Sequence, residues 1–138
     1  MTISKDIKFD CAHMLSNYEG KCANLHGHTY HGTVTLEGTP EGDTSMIVDY
    51  NEIKRVVDMF DHAIVFSAPN MRNGAETELW LWAENNDMKY VEMLNGKSTA
   101  EHMAAYMTSL FIDYHNISKV TVRLSETDGS WAEAEATK

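Results

Sequence analysis

Hydrophobic and polar positions alternate at the start of the chain. In DIKFDCAH, Ile7, Phe9, Cys11 and His13 fall on every second residue, the period of a half-buried strand. HGHTYHGTVTLEG repeats the pattern, with His26, His28 and Tyr30 on one side and the Thr, Val and Tyr content that suits a pleated surface. The two strands are expected to pair as neighbours across a loop of about a dozen residues, a length that inside a compact domain is usually functional. The period then changes. In NEIKRVVDMF, Ile53, Val56, Val57 and Phe60 recur at helical spacing, with Asp49 or Asn51 able to cap the start. AETELWLWAENND reads as a less regular helix and KYVEML as a short strand. STAEHMAAYMTSLFIDYHN carries the strongest helical signal: Ser98 and Glu101 stand at capping-box spacing, and Met103, Ala104, Met107, Leu110 and Phe111 form an apolar stripe. KVTVRLSET and SWAEAEA, joined through Asp-Gly, predict a terminal hairpin. The order strand, strand, helix, variable segment, helix, strand, strand gives an α+β plan in which helices cover one face of an antiparallel sheet.

Composition narrows the function classes. The 138 residues suit a single domain spanning 1–138, with no internal repeat and no linker rich in Pro, Gly or Ser. A formal net charge of -10 argues against nucleic acid or an anionic membrane as partner, since both demand clustered Lys and Arg. No run approaches the roughly 20 apolar residues of a membrane span, and MTISKDIKFD lacks the apolar centre of a signal peptide, so the expected location is cytoplasmic. Two cysteines, Cys11 and Cys22, are too few for a disulfide framework.

The stretch KCANLHGHTYHG concentrates the candidate chemistry. His26 and His28, two apart on a strand, project from the same face about 7 Å apart, within reach of one ion, and His13 on the neighbouring strand could add a third nitrogen. Three imidazoles without a fourth protein ligand form the pattern of an open, catalytic zinc position; the alternative is that they are strand-surface and strand-end polar groups. His31 faces the other way. Cys22 lies in the loop beside this face, where a cation nearby would raise its thiolate fraction, whereas Cys11 shares a strand face with Phe9 and is expected to pack. Adjacent Asp61 and His62, inside FDHAIVF, serve either as a structural hydrogen-bonding pair or as an acid-base relay. Glu126, at a strand end, is either an ordinary exposed carboxylate or an acceptor for paired N–H groups of a planar heterocycle.

Six blocks, FDCAHML, CANLHGH, MIVDYNEIK, FDHAIVF, STAEHMAAYM and VRLSET, occur in the order and with the approximate spacing of the pterin synthase family that contains 6-pyruvoyltetrahydropterin synthase and 6-carboxytetrahydropterin synthase, and the chain resembles that family over nearly its whole length. The resemblance implies zinc (Zn2+) held by His13, His26 and His28, a catalytic Cys22 working with Asp61 and His62, a pterin anchor at Glu126, and a pterin pocket lined in part by Thr99 and Glu101. It also implies the tunnelling fold, or T-fold: a four-stranded antiparallel sheet with two long helices on one face, assembling by edge pairing into trimeric barrels and then a homo-hexamer, a dimer of trimers with active sites between subunits.

The Cys-x-x-x-His-Gly-His form and brief cysteine loop look most like the carboxytetrahydropterin branch of the queuosine and 7-deazapurine pathway. Enzymes of that branch are lyases that convert 7,8-dihydroneopterin triphosphate to 6-carboxy-5,6,7,8-tetrahydropterin, acetaldehyde and triphosphate. Two other readings follow from the same residues: a sister activity making 6-pyruvoyltetrahydropterin, or a pterin-binding oligomer without catalysis. Asn24 stands where close relatives often carry a basic residue, which leaves Lys21, Lys54, Lys97 and Arg123 as candidates to meet the triphosphate.

Overall fold

The computed structural model describes residues Met1 to Lys138. Strand β1 (Thr2–His13) and strand β2 (His26–Gly38) pair antiparallel, from Thr2 opposite Glu37 down to His13 opposite His26. The alternation of the sequence sets which face is covered: Ile7, Phe9, Cys11 and His13 of β1 and Tyr30, Val34 and Leu36 of β2 are buried, and the Phe9 and Tyr30 rings stack at 5.2 Å between centroids. Strand β5 (Ile117–Ser125) pairs antiparallel with β2, and strand β6 (Ala132–Thr137) closes the hairpin on β5. Gly32 is required where β2 crosses β5, because a Cβ there would stand 1.9 Å from the Arg123 carbonyl oxygen.

Two helices cover the buried face. Helix α1 (Tyr50–Phe60) starts at Asp49, whose carboxylate accepts the Asn51 N–H at 2.8 Å, and turns Ile53, Val56, Val57 and Phe60 inward. Helix α3 (Ala100–Ile112) buries Met103, Ala104, Met107 and Phe111 in the same apolar cluster as Phe9, Val122 and Leu124. Its start departs from the predicted capping box by one residue. Thr99 is the N-cap and accepts the His102 N–H, while Ser98 is fully buried and donates instead to the Met14 carbonyl. Glu101 is exposed and takes no part in a box.

The predicted four-stranded antiparallel unit is therefore present as β1, β2, β5 and β6, and the fold is the α+β T-fold. The sheet is nevertheless larger and mixed. Strand β3 (Ala63–Phe66) and strand β4 (Tyr90–Glu92) run parallel to β1 and to each other, giving the order β4-β3-β1-β2-β5-β6. AIVF is apolar throughout and almost wholly buried, so it carries no alternation by which a strand could be recognised. The connection between these parallel strands is helix α2 (Gly74–Asn85), the crossover that parallel pairing demands.

Candidate active site

His13 is the last residue of β1 and His26 the first of β2, so the strand pairing itself sets these two rings side by side, tilted 53° to one another. Ring centroids are 4.6 Å apart for His13 and His26, 4.8 Å for His26 and His28, and 5.4 Å for His13 and His28. One ligand atom from each of the three lies within 4.8 Å of the others. Backbone carbonyls fix the tautomers: His13 Nδ1 donates to the Ser98 oxygen at 2.5 Å and His26 Nδ1 to the Asn24 oxygen at 2.7 Å. The lone pairs are then on Nε2, and those of His13 and His26 face one another at 3.2 Å.

Two lone pairs so placed repel unless a cation or proton lies between them, and two imidazole nitrogens on a tetrahedral zinc, at about 2.0–2.1 Å each, stand about 3.3 Å apart. The third nitrogen points the same way. His28 Nε2 is buried and has no hydrogen-bond partner, although Glu126 Oε1 is 3.0 Å away, because that contact is out of hydrogen-bond alignment. An orphaned buried nitrogen beside two orientated Nε2 atoms fits a metal ion. Burial, the main influence, lowers the His13 pKa and so favours the neutral ring that a metal needs.

Cys22 sits in a short 3-10 turn (Lys21–Ala23) of the loop between β1 and β2, half-buried and free, and the loop is tied to the end of β1 where the Leu15 N–H donates to the Cys22 carbonyl at 2.8 Å. It is not part of the imidazole cluster. Cys11 is buried under α1; burial foremost, with the charges of Glu126, Asp10 and Asp61, pushes its thiol up to about 12, so it stays protonated and packs as an apolar group.

Asp61 and His62 do not join the triad. They cluster instead with Asp10, which precedes Cys11 on β1 and leaves the sheet on the opposite face. His62 takes the left-handed conformation (φ 59°) at the turn from α1 into β3, and its N–H donates to the Asp10 carbonyl at 2.6 Å. Its Nδ1 lies 3.0 Å from Asp61 Oδ2, and Asp61 Oδ1 accepts the Asp10 N–H at 2.9 Å. That backbone donor first, then His62 and Lys89, lowers the Asp61 pKa. His62, but not Asp61, lines a cavity of about 470 Å³ together with Asp10, Cys11, His28, Thr29 and Ile64 among others.

A carboxyl whose folded pKa is depressed stabilises the fold above its unfolded value and ceases to do so as pH falls through the folded one. Asp61→Asn is therefore expected to lower stability at neutral pH, with the gap from the parent closing below about pH 4. Urea melts across that range measure it, and a gap independent of pH would remove the ionised pair as its cause.

Glu126 is the first residue beyond β5, near His28 and 3.4 Å from the Tyr30 hydroxyl that donates to it. It lines a cavity of about 200 Å³ with Glu101, Thr127 and Trp131. Thr99 is not among the lining residues, since its hydroxyl is committed to His102 at the start of α3. Of the candidate cations, Lys54 pairs with Asp58, Lys97 donates to the Ser16 carbonyl at 2.7 Å, and Arg123 lies 3.9 Å over the Trp131 ring. Sequence reasoning gave Asp10 no role and gave Asn24 and Ser98 other ones, a replaced basic position and a helix cap; both act here through backbone carbonyls, for which residue type gives no signal.

The family model described as 6-pyruvoyl tetrahydropterin synthase matches residues 2–137. The chain is 31% identical to the 6-carboxy-5,6,7,8-tetrahydropterin synthase of Haemophilus influenzae, covering 95% of this chain and 96% of that one. It is also 31% identical to a putative 6-carboxy-5,6,7,8-tetrahydropterin synthase of Pyrococcus abyssi, over 91% of this chain and 84% of the relative. Among solved structures, a catalytic-residue mutant of Plasmodium vivax 6-pyruvoyltetrahydropterin synthase is similar with a TM-score of 0.64 at 17% identity, covering 100% of this chain and 99% of the other. The Caenorhabditis elegans 6-pyruvoyl tetrahydropterin synthase is similar with a TM-score of 0.56 at 22% identity, covering 100% and 95%. At these identities the structural likeness speaks for the fold.

Proposed function

The chain belongs to the 6-pyruvoyl tetrahydropterin synthase family, and on that premise we propose that it is a zinc-dependent 6-carboxy-5,6,7,8-tetrahydropterin synthase. In this reading it is a lyase that converts 7,8-dihydroneopterin triphosphate and water to 6-carboxytetrahydropterin, acetaldehyde and triphosphate for 7-deazapurine and queuosine synthesis. The names of the relatives at 31% identity support the product. The observation that carries the metal reading is the orphaned Nε2 of His28 beside the orientated Nε2 atoms of His13 and His26.

His13, His26 and His28 hold the zinc, which when bound supplies Lewis acidity to the hydroxyls of the substrate side chain. Glu126 accepts paired N–H groups of the pterin ring, with Glu101 lining the same cavity and Thr99 acting only as the cap that starts α3. Cys22, as thiolate, takes the proton from the side-chain carbon, and triphosphate leaves by elimination with no redox partner. His62 carries a proton at its ring nitrogen and Asp61 holds that ring in place at Nδ1.

Because Asp61 and His62 share the sheet face of Asp10 and not that of the triad, a second copy is the source of the pair at each site. A homo-hexamer of two trimers, each subunit one 1–138 domain, supplies it in the cytoplasm.

The test is anaerobic incubation of zinc-loaded protein with 7,8-dihydroneopterin triphosphate, with metal-stripped protein in parallel and the pterin identified by mass spectrometry. The carboxy product appearing only with zinc is expected. A pyruvoyl product moves the chain to the sister activity, and no product leaves a pterin-binding oligomer.

A further inference from the structure

Glu76, in the first turn of α2, is fully buried. Its carboxylate has no direct ion pair among the salt bridges of the chain; Oε1 accepts the Ser67 N–H at 2.7 Å, and Oε2 accepts the Ser16 hydroxyl. Removing a carboxylate from water is costly unless donors surround it, and pairing β3 with β4 needs no charge at this position. Its partners show what the burial does. Ser67, itself fully buried, accepts the Ser98 N–H on its hydroxyl at 3.2 Å, and the Ser98 carbonyl accepts His13 Nδ1 at 2.5 Å. Ser16, on the other arm, lies three residues beyond His13, and its carbonyl accepts Lys97 next to Ser98 at 2.7 Å.

We propose that Glu76 is a positioning residue for the metal centre: from α2 it clamps both segments that hold His13, the chain leaving β1 and the turn before α3, and so fixes the Ser98 carbonyl that sets the His13 tautomer. This rests on the reading of His13, His26 and His28 as metal ligands. Outer partners of a ligating histidine govern affinity because a ring free to tilt presents its lone pair off the ion.

The test uses cobalt(II) in place of zinc on the full chain, read by chelator competition and by the visible ligand-field bands, which respond to ligand geometry and not to global stability. Glu76→Gln keeps the size of the side chain but substitutes an N–H group for one acceptor, and it is expected to weaken cobalt binding about 10-fold and shift the bands. Ser67→Ala, which breaks the link to Ser98 alone, should move both readouts the same way. Glu84→Gln, a carboxylate on α2 that meets Tyr90, should move neither. Parent affinity and parent bands in folded Glu76→Gln and Ser67→Ala overturn the inference alone, and Ser67→Ala decides it if Glu76→Gln does not fold. A parent chain that takes up no cobalt overturns the metal reading first and the inference with it.

Discussion

His28→Ala is expected to lose stoichiometric metal. Changes to the outer partners of metal ligands cost 10–100-fold in affinity, so removing one of three nitrogens should cost on the order of 100-fold or more. The fold should survive, because the register of β2 is set by Tyr30, Val34 and Leu36 in the core and by its pairing along β1, none of which needs the imidazole. The stability gap between parent and variant should then be much wider with metal than without. Without metal the substitution removes an orphaned nitrogen but also the packing of the ring on His13, His26 and Tyr30, so a modest loss of stability is expected. With metal, the parent gains RT ln(1 + [L]/Kd), about 4 kcal/mol at a thousandfold excess over Kd, and the variant gains almost none of it. Elemental analysis after gel filtration reads the occupancy, and thermal melts with and without zinc read the linkage. His31→Ala, exposed on the far face of the same strand, is the control that should keep full occupancy. Full occupancy in His28→Ala would sink the ligand assignment.

The elements of the chain were legible where one face is wet. Every second residue of β1 and β2 alternates between core and solvent, and Ile53, Val56, Val57 and Phe60 mark one stripe on α1, so period alone separates strand from helix. β3 was not legible because AIVF is apolar throughout, so even its one partly exposed residue, Ile64, leaves no polar position for an alternation to show. The cap of α3 slipped by one residue because Ser98 and Thr99 are both good cap types; the choice falls to Thr99 once the Ser98 hydroxyl goes to Met14. At the site, the spacing of His26 and His28 put two rings on one face, but His13 joins them only through the pairing of strand ends. The position of Asp61 and His62 was hidden for a different reason. A left-handed backbone at His62 turns the pair towards Asp10, and adjacency in sequence carries no information about which sheet face that is.

These pieces meet at one end of the sheet. β1 ends at His13, β2 begins at His26, β5 ends one residue before Glu126, and α3 begins after Ser98 and Thr99. Side chains on strand ends are held by the ladder behind them, which suits a ligand set that must not tilt. Cys22 sits on the intervening loop, where the backbone is freer to follow a bound molecule. Rigidly held candidate ligands and a less constrained thiol fit the separate roles proposed for the two, and this separation can be tested directly.

Cys22→Ala is expected to abolish turnover while leaving metal and pterin binding near parent values. The thiol is outside the imidazole cluster, so zinc content should not change. The contact that ties its loop to β1, Leu15 N–H to the Cys22 carbonyl, is backbone to backbone and is kept by alanine, so the loop should hold its place. What disappears, on the proposed mechanism, is the base. General-base contributions run to about 10²–10⁴-fold, and with no other thiol in the loop kcat should fall by at least that range with KM little altered. Cys11→Ala is the matched comparison: its thiol, pushed up to about 12 and buried under the helices, contributes packing, so that variant should lose stability while each folded molecule keeps its turnover. Single-turnover kinetics beside zinc analysis and a pterin-binding titration separate these outcomes. Unchanged turnover in Cys22→Ala would take the thiol out of the chemistry, and loss of zinc would move it into the ligand set.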